Sequence, residues 1–193
     1  MKKSCFGLIL LSILSGMCYA QTFGGRIGAN IASQVWKTGS ESYTTPTVAA
    51  MHVGANLNMG ETEKLSTQIE LTYSEFGFGK VDADNGESVG PLRIKYLKIG
   101  CAIKLHPVKD LNIHIGPEIG FQIIGHRTYL TSGDFGAFAG IEKFFTPNIG
   151  FGARYYYGFS DINEDPELKQ KNRALQFSLL LRLNSQQLAA LGF

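Results

Sequence analysis

The chain has 193 residues, 44% of them hydrophobic and 18% charged, which is the size and balance of one folded domain. Its formal charge of +2, from 18 Lys and Arg against 16 Asp and Glu, is too small an excess to support a nucleic-acid surface. Cys5 and Cys18 fall in the leader described next, so Cys101 stands alone beyond it, excluding an intrachain disulfide and a CxxC site.

The opening "MKKSCFGLILLSILSGMCYAQ" places Lys2 and Lys3 before an apolar run from Phe6 to Leu14 and a small-residue site ending at Ala20. That is the order of a secretory signal peptide, 1–20, removed on export. A membrane-anchoring helix needs about 20 apolar residues, and Ser12, Ser15 and Gly16 break this run first. Without Lys2 and Lys3 the charges balance at 16 and 16.

Eight stretches beyond the leader alternate with period two, which marks strands with one apolar and one polar face. The first, 23–33, sets Phe23, Ile27, Ala29 and Ile31 against Arg26 and Asn30. The second, 48–60, sets Ala49, Met51, Val53, Ala55, Leu57 and Met59 against His52, Asn56 and Asn58. The third, from Leu65, opposes Ile69, Leu71 and Tyr73 to Gln68, Glu70 and Thr72. The fourth, from Leu92, opposes Leu97, Ile99, Cys101, Ile103 and Leu105 to Lys98 and Lys104. Its first half, with Leu92, Ile94 and Tyr96, has the other phase, and predicts a bulge or a change of environment near Tyr96 and Leu97.

The fifth, from Leu111, sets Ile113, Ile115, Ile119, Phe121 and Ile123 against Asn112, His114, Glu118 and Gln122. The sixth, from Asp134, has Phe135, Ala137, Ala139 and Ile141 opposite Asp134, Gly136, Gly140 and Glu142. The seventh, from Asn148, has Ile149, Phe151, Ala153, Tyr155 and Tyr157 opposite Arg154 and Tyr156. The eighth, from Asn172, has Leu175, Phe177, Leu179, Leu181 and Leu183 opposite Gln176, Ser178 and Arg182. Each reaches the 9 to 11 residues, roughly, that a tilted strand needs to cross a bilayer.

Connections at 34–46, 79–91 and 159–171 are long, those at 60–64, 106–110 and 146–147 are short, and 126–133 is intermediate. Long and short connections therefore gather at opposite rims of an up-and-down meander, as in outer-membrane barrels, with both termini on the short-turn, periplasmic side. A soluble barrel would turn its polar parity outward and crowd it with Lys, Glu, Arg and Asp. Here that parity is mostly small or uncharged, with Arg26, Lys98, Lys104, Arg154 and Arg182 set among Glu70, Glu118, Asp134 and Glu142. Those charges, together with His52 and His114, are expected to form a polar network inside a plugged lumen. The apolar parity then meets lipid, with Phe23, Tyr73, Phe145, Tyr155 and Tyr157 supplying interfacial girdles.

The order of "FGGRIGANIAS", "KYLKIGCAIKL", "IHIGPEIGFQI", "DFGAFAGIEKFF" and "YYYGFSDI...KNRALQFSLLLRL" over 21–183 resembles the PorT-like family of outer-membrane β-barrels, common in Bacteroidetes. Gly100 stands where that family usually has Pro, and Asp161 where it has Asn. The resemblance implies an exported barrel and, for some relatives, a part in secretion or gliding machinery. It carries over no catalytic residue.

Two chemical arrangements compete with a structural interior. His114 and Glu118 share a strand face, where an acid/base pair or metal site is conceivable, and Ser178 with His114 and Glu118 would compose a hydrolase triad. Outer-membrane lipid enzymes, however, put their catalytic groups on the lipid-facing side. Acidic runs at 82–87 and 161–167 are oxygen-rich but fit no EF-hand spacing. The expectation is thus an all-β, eight-stranded antiparallel transmembrane barrel over 21–183 with a tail at 184–193, no cofactor and no catalysis. Its partners would be outer-membrane lipid, the barrel-assembly machinery, and a protein met through 34–46, 79–91 and 159–171. A soluble periplasmic ligand-binding barrel and an outer-membrane lipid-modifying enzyme remain the alternatives.

Overall fold

Period-two patterning becomes pleated strand along most of the described residues. The computed structural model describes residues 20–82, 88–124, 133–163, 168–184 and 187. The long strands are β1 (Ala20–Thr38), β3 (Val48–Met59), β4 (Leu65–Phe78), β7 (Leu92–Val108), β8 (Leu111–Ile124), β9 (Gly133–Phe144), β10 (Ile149–Gly158) and β11 (Leu168–Asn184). Short strands β2 (Glu41–Thr44), β5 (Val81–Asp82) and β6 (Ser88–Val89) decorate two of the long connections. Each long strand pairs antiparallel with its chain neighbours, and β11 returns to pair with β1 from Thr22↔Asn184 to Thr38↔Leu168. The product is a closed eight-stranded antiparallel barrel with no unpaired edge among these strands.

Three boundaries differ from the sequence reading. β1 runs on to Thr38, so the connection placed at 34–46 is largely strand, turned at Gly39 (φ 59°) into β2. β2 and β3 lie on the same side of β1, separated by a break at 45–47 where Pro46 can donate no ladder bond. β11 likewise begins at Leu168, because its pairing to β1 continues well above the apolar band. Residues 1–19 of the leader, the centre of 79–91, the stretch 125–132, residues 164–167 and nearly all of the tail lie outside the described residues.

The phase change in β7 has a different cause from a flip of the strand. Ile94 and Tyr96 point inward with Lys98, and parity holds from end to end. What changes is the environment, since this end of the lumen is apolar. The irregularity lies on the partner, where β8 advances from Gln122 to Ile124 while β7 advances from Tyr96 to Lys95.

Side chains on the outward parity are exposed and greasy all round the barrel: Ile27, Met51, Leu71, Ile99, Ile115, Ile141, Phe151 and Leu179 are each at least 46% exposed. On β8 the row runs from Ile113 to Ile123, ~10 steps of about 3.3 Å; tilted by roughly 40°, it rises about 25 Å, the height of a lipid-facing band. At Gly116 the close approach of β7 excludes a side chain, since a Cβ would run into the Cys101 carbonyl and Ala102 Cα.

Candidate functional site

Inward positions from six strands build a chain of alternating charge through the lumen. Lys104 (β7) reaches Glu142 (β9) at 2.7 Å, and Glu142 holds Arg26 (β1) at 2.8 Å. Arg26 lies 3.6 Å from Glu70 (β4), and Glu70 is bonded by Arg154 (β10). Arg154 extends to Glu118 (β8) at 3.3 Å, Glu118 pairs with Lys98 (β7) at 2.8 Å, and Lys98 approaches Asp134 (β9) at 3.6 Å. Four cations thus alternate with four carboxylates, and every one of these groups is buried. In the barrel's strand order β10 and β4 stand diametrically opposite, so the Arg154–Glu70 pair ties one wall to the other across the lumen.

A neutral network flanks this chain. His52 on β3 bonds Asn30 at 2.7 Å through Nδ1 and Ser178 at 2.8 Å through Nε2. The Asn30 amide donates to Ser74 Oγ and the Glu75 carbonyl, and its oxygen accepts from Gln176, which itself accepts from Arg154 Nε. Buried charges survive only when paired, and every charge of the alternating chain lies within 3.6 Å of one of opposite sign. Between Arg26, His114, Glu142, Arg154 and Ser178 there is no space for a water molecule.

Toward the long-loop rim the lumen is closed by apolar groups. Phe76, Ile94, Tyr96, Phe138 and Tyr156 pack together with Ile162, which enters from the β10–β11 connection and is wholly buried. Lys98 Nζ lies 4.0 Å from the Phe76 ring centroid and 3.4 Å from that of Tyr156, so the last cation is shared between carboxylates and aromatic faces. Above them Trp36 meets Phe78 and Tyr43 edge-on and donates to Gln34. At the opposite rim a recess of about 20 Å³ beside Asn56, Asn58 and Lys104 is large enough for a single water.

The structure places Arg26, His52, Glu70, Lys98, Lys104, His114, Glu118, Asp134, Glu142 and Arg154 inside. Arg182, expected with them, stands instead at the short-turn rim, where it bonds the Pro147 carbonyl, lies 3.6 Å from Asp110 and covers Phe144. Its strand is already leaving the band at that level, so its long side chain can turn toward the β7–β8 and β9–β10 turns. The hypothetical triad is not assembled: Ser178 bonds His52, while His114 faces Glu142 at 3.7 Å and the Phe138 ring. No group of three or more metal-ligating side chains occurs among the described residues.

The sequence reading passed over the aromatic plug. Phe76, Phe138 and Tyr156 share the inward parity, and the phase change at Ile94 and Tyr96 was its one visible sign. Asn30 and Gln176, the hubs of the neutral network, carried no signal beyond parity.

No family model matches the chain, and a search of the curated proteins gives no match. Among solved structures, the chain is similar to Ail, the attachment invasion locus protein of Yersinia pestis, at 13% identity and TM-score 0.47, covering 84% of this chain and 98% of Ail. Neisserial surface protein A gives 14% identity and TM-score 0.47, covering 84% of this chain and 96% of that one. OprG, an outer membrane protein of Pseudomonas aeruginosa, gives 11% identity and TM-score 0.47, covering 86% and 98%. The closed pairing of β11 with β1 by itself defines the eight-stranded barrel.

Proposed function

We propose that this chain is an integral outer-membrane β-barrel, exported with residues 1–20 as its leader, whose role is structural or interactive rather than catalytic. The observation that carries the reading is the inversion of the barrel. Large apolar side chains encircle the outside over about 25 Å, while Arg26, Glu70, Lys98, Glu118, Glu142 and Arg154 lie within. In water such a surface would leave dozens of apolar side chains unburied, far beyond the few-hundred-Å² patch that soluble monomers tolerate. Among the described residues no helix is long and apolar enough to cross a membrane; in this reading the strands cross it, since a closed barrel satisfies every backbone group in lipid.

The crossed lumen gives this barrel no conduit, and its buried charges are paired with one another. Interaction through the long-loop rim is therefore the favoured role. The resemblance of the motif order to PorT-like barrels adds the finer suggestion of a component of a secretion-type complex. With the termini on the periplasmic side, the β1–β3, β4–β7 and β10–β11 connections face outward from the cell.

Fractionation tests this reading. The expected result is recovery in the outer-membrane fraction, release only by detergent, and heat-modifiable migration on a gel. Release into the soluble periplasmic fraction without detergent would overturn it in favour of a soluble ligand-binding barrel. A pull-down from detergent-solubilised outer membrane then tests the secretion-type complex through its partners.

A further inference from the structure

Immediately above the apolar band, β1, β10 and β11 change character in a single row. Ile31, Leu175 and Tyr155 lie side by side in register as the last row on these strands built of apolar and aromatic side chains alone. The next row outward pairs Arg173 with Ser33 and Tyr157, then Lys171 pairs with Val35, and Lys169 with Lys37. Two lysines directly opposite each other on neighbouring strands repel, which costs stability unless an anion sits between them.

The arrangement around that row is built. The Arg173 guanidinium lies 3.3 Å from the Tyr157 ring centroid and donates to the carbonyls of Gly158 and Asn172, so a cation is fixed at the base of the patch. Val35, Lys37, Tyr157, Lys169, Lys171 and Arg173 line a recess of about 300 Å³. Among the described residues, Lys37, Lys169 and Lys171 take part in no ion pair.

We infer that this recess binds the phosphate of an anionic lipid headgroup in the leaflet facing the long-loop rim. The inference rests on the membrane reading above, which puts the row of Ile31 and Leu175 at the top of the hydrocarbon. Arg173, two residues higher, and the lysines, four to six residues higher along the strands, then sit at headgroup depth, with Tyr157 at the interface. The apolar row receives the acyl chains of the same lipid, which distinguishes a lipid phosphate from a free one. Three acidic residues, Glu164, Asp165 and Glu167, precede the patch in sequence and lie outside the described residues.

The test compares the full-length protein, expressed, processed and purified from membranes, with the triple variant Lys37→Gln, Lys169→Gln, Lys171→Gln. Both are inserted into nanodiscs of phosphatidylcholine containing a small fraction of lipid A or of its dephosphorylated form, and retained lipid is counted by native mass spectrometry. A basic side chain near an anionic surface contributes about fivefold in affinity, so the wild type should retain phosphorylated lipid at least ~10-fold better than the variant. Dephosphorylated lipid should be retained equally and weakly by both, and millimolar inorganic phosphate should not displace the lipid. Retention indifferent to the three lysines or to the phosphate overturns the inference, and so does a patch already neutralised by the acidic run, which would give that same result. Displacement by inorganic phosphate would overturn the lipid assignment. Failure of the wild type to insert at all would instead refute the membrane reading, and a heat-modifiability gel run on the same samples separates the two failures.

Discussion

Arg154 is the side chain whose loss should cost the barrel most clearly. It bonds Glu70 on the opposite wall, reaches Glu118 at 3.3 Å and donates to Gln176, with 2% of its side chain exposed. Arg154→Met keeps most of the volume but removes the charge, leaving two buried carboxylates short of a partner. Each keeps a second cation, Glu70 through Arg26 at 3.6 Å and Glu118 through Lys98 at 2.8 Å. The expected cost therefore sits at the lower end of the range for breaking a buried pair, about 3 kcal/mol. The double variant Glu70→Gln with Arg154→Met removes one charge of each sign and restores neutrality. It should be more stable than the sum of the two single effects by at least ~1 kcal/mol. Urea unfolding from lipid vesicles supplies the measurement, read by the fluorescence of Trp36, the single tryptophan, which is buried near the long-loop rim. A loss below about 0.5 kcal/mol for Arg154→Met, or strict additivity in the cycle, would refute the cross-lumen ladder.

Other outcomes follow from the same geometry. Leu179 points outward in mid-band opposite Ile27, so Leu179→Arg should cost about 2–4 kcal/mol in vesicles; unchanged stability would place that face in water. Cys101, exposed on the same band, should react with a lipid-soluble maleimide in intact vesicles but resist a bulky charged one until detergent is added, and equal rates would count against burial in lipid. Gly116→Val should drive a side chain into the Cys101 carbonyl and lose heat-modifiable migration, whereas Gly25→Ala, with only an ordinary 3.7 Å contact to make, should behave as wild type. Ser178→Ala removes one of the two partners of His52 and should lower stability by about 1–2 kcal/mol while leaving lipid composition in the membrane unchanged. Accumulation of an unprocessed lipid in that variant would favour the enzyme instead.

Much of the architecture was legible before any coordinate, because a strand's two-residue repeat forces every position onto one face or the other. The alternation of Ile113, Ile115 and Ile119 with His114 and Glu118 fixes opposite sides whatever the register. The spacing of turns fixes which rim each connection joins. The break at "LRIKY" was legible too, but only as an anomaly; whether the strand flips or the lumen turns apolar depends on what faces it, and that is Phe76, Tyr156 and Ile162.

What only the closed barrel decides is who meets whom across the lumen. Arg154 and Glu70 are separated by more than eighty positions and by half the circumference of the barrel, and no local rule relates them. Ser178 finds His52 rather than His114 for the same reason, and Arg182, on the right parity, leaves the lumen because its level in the barrel lies at the rim. Parity is a property of one strand and can be read along the chain, whereas contact across the lumen depends on strand count, tilt and stagger together, which exist only once β11 has closed on β1.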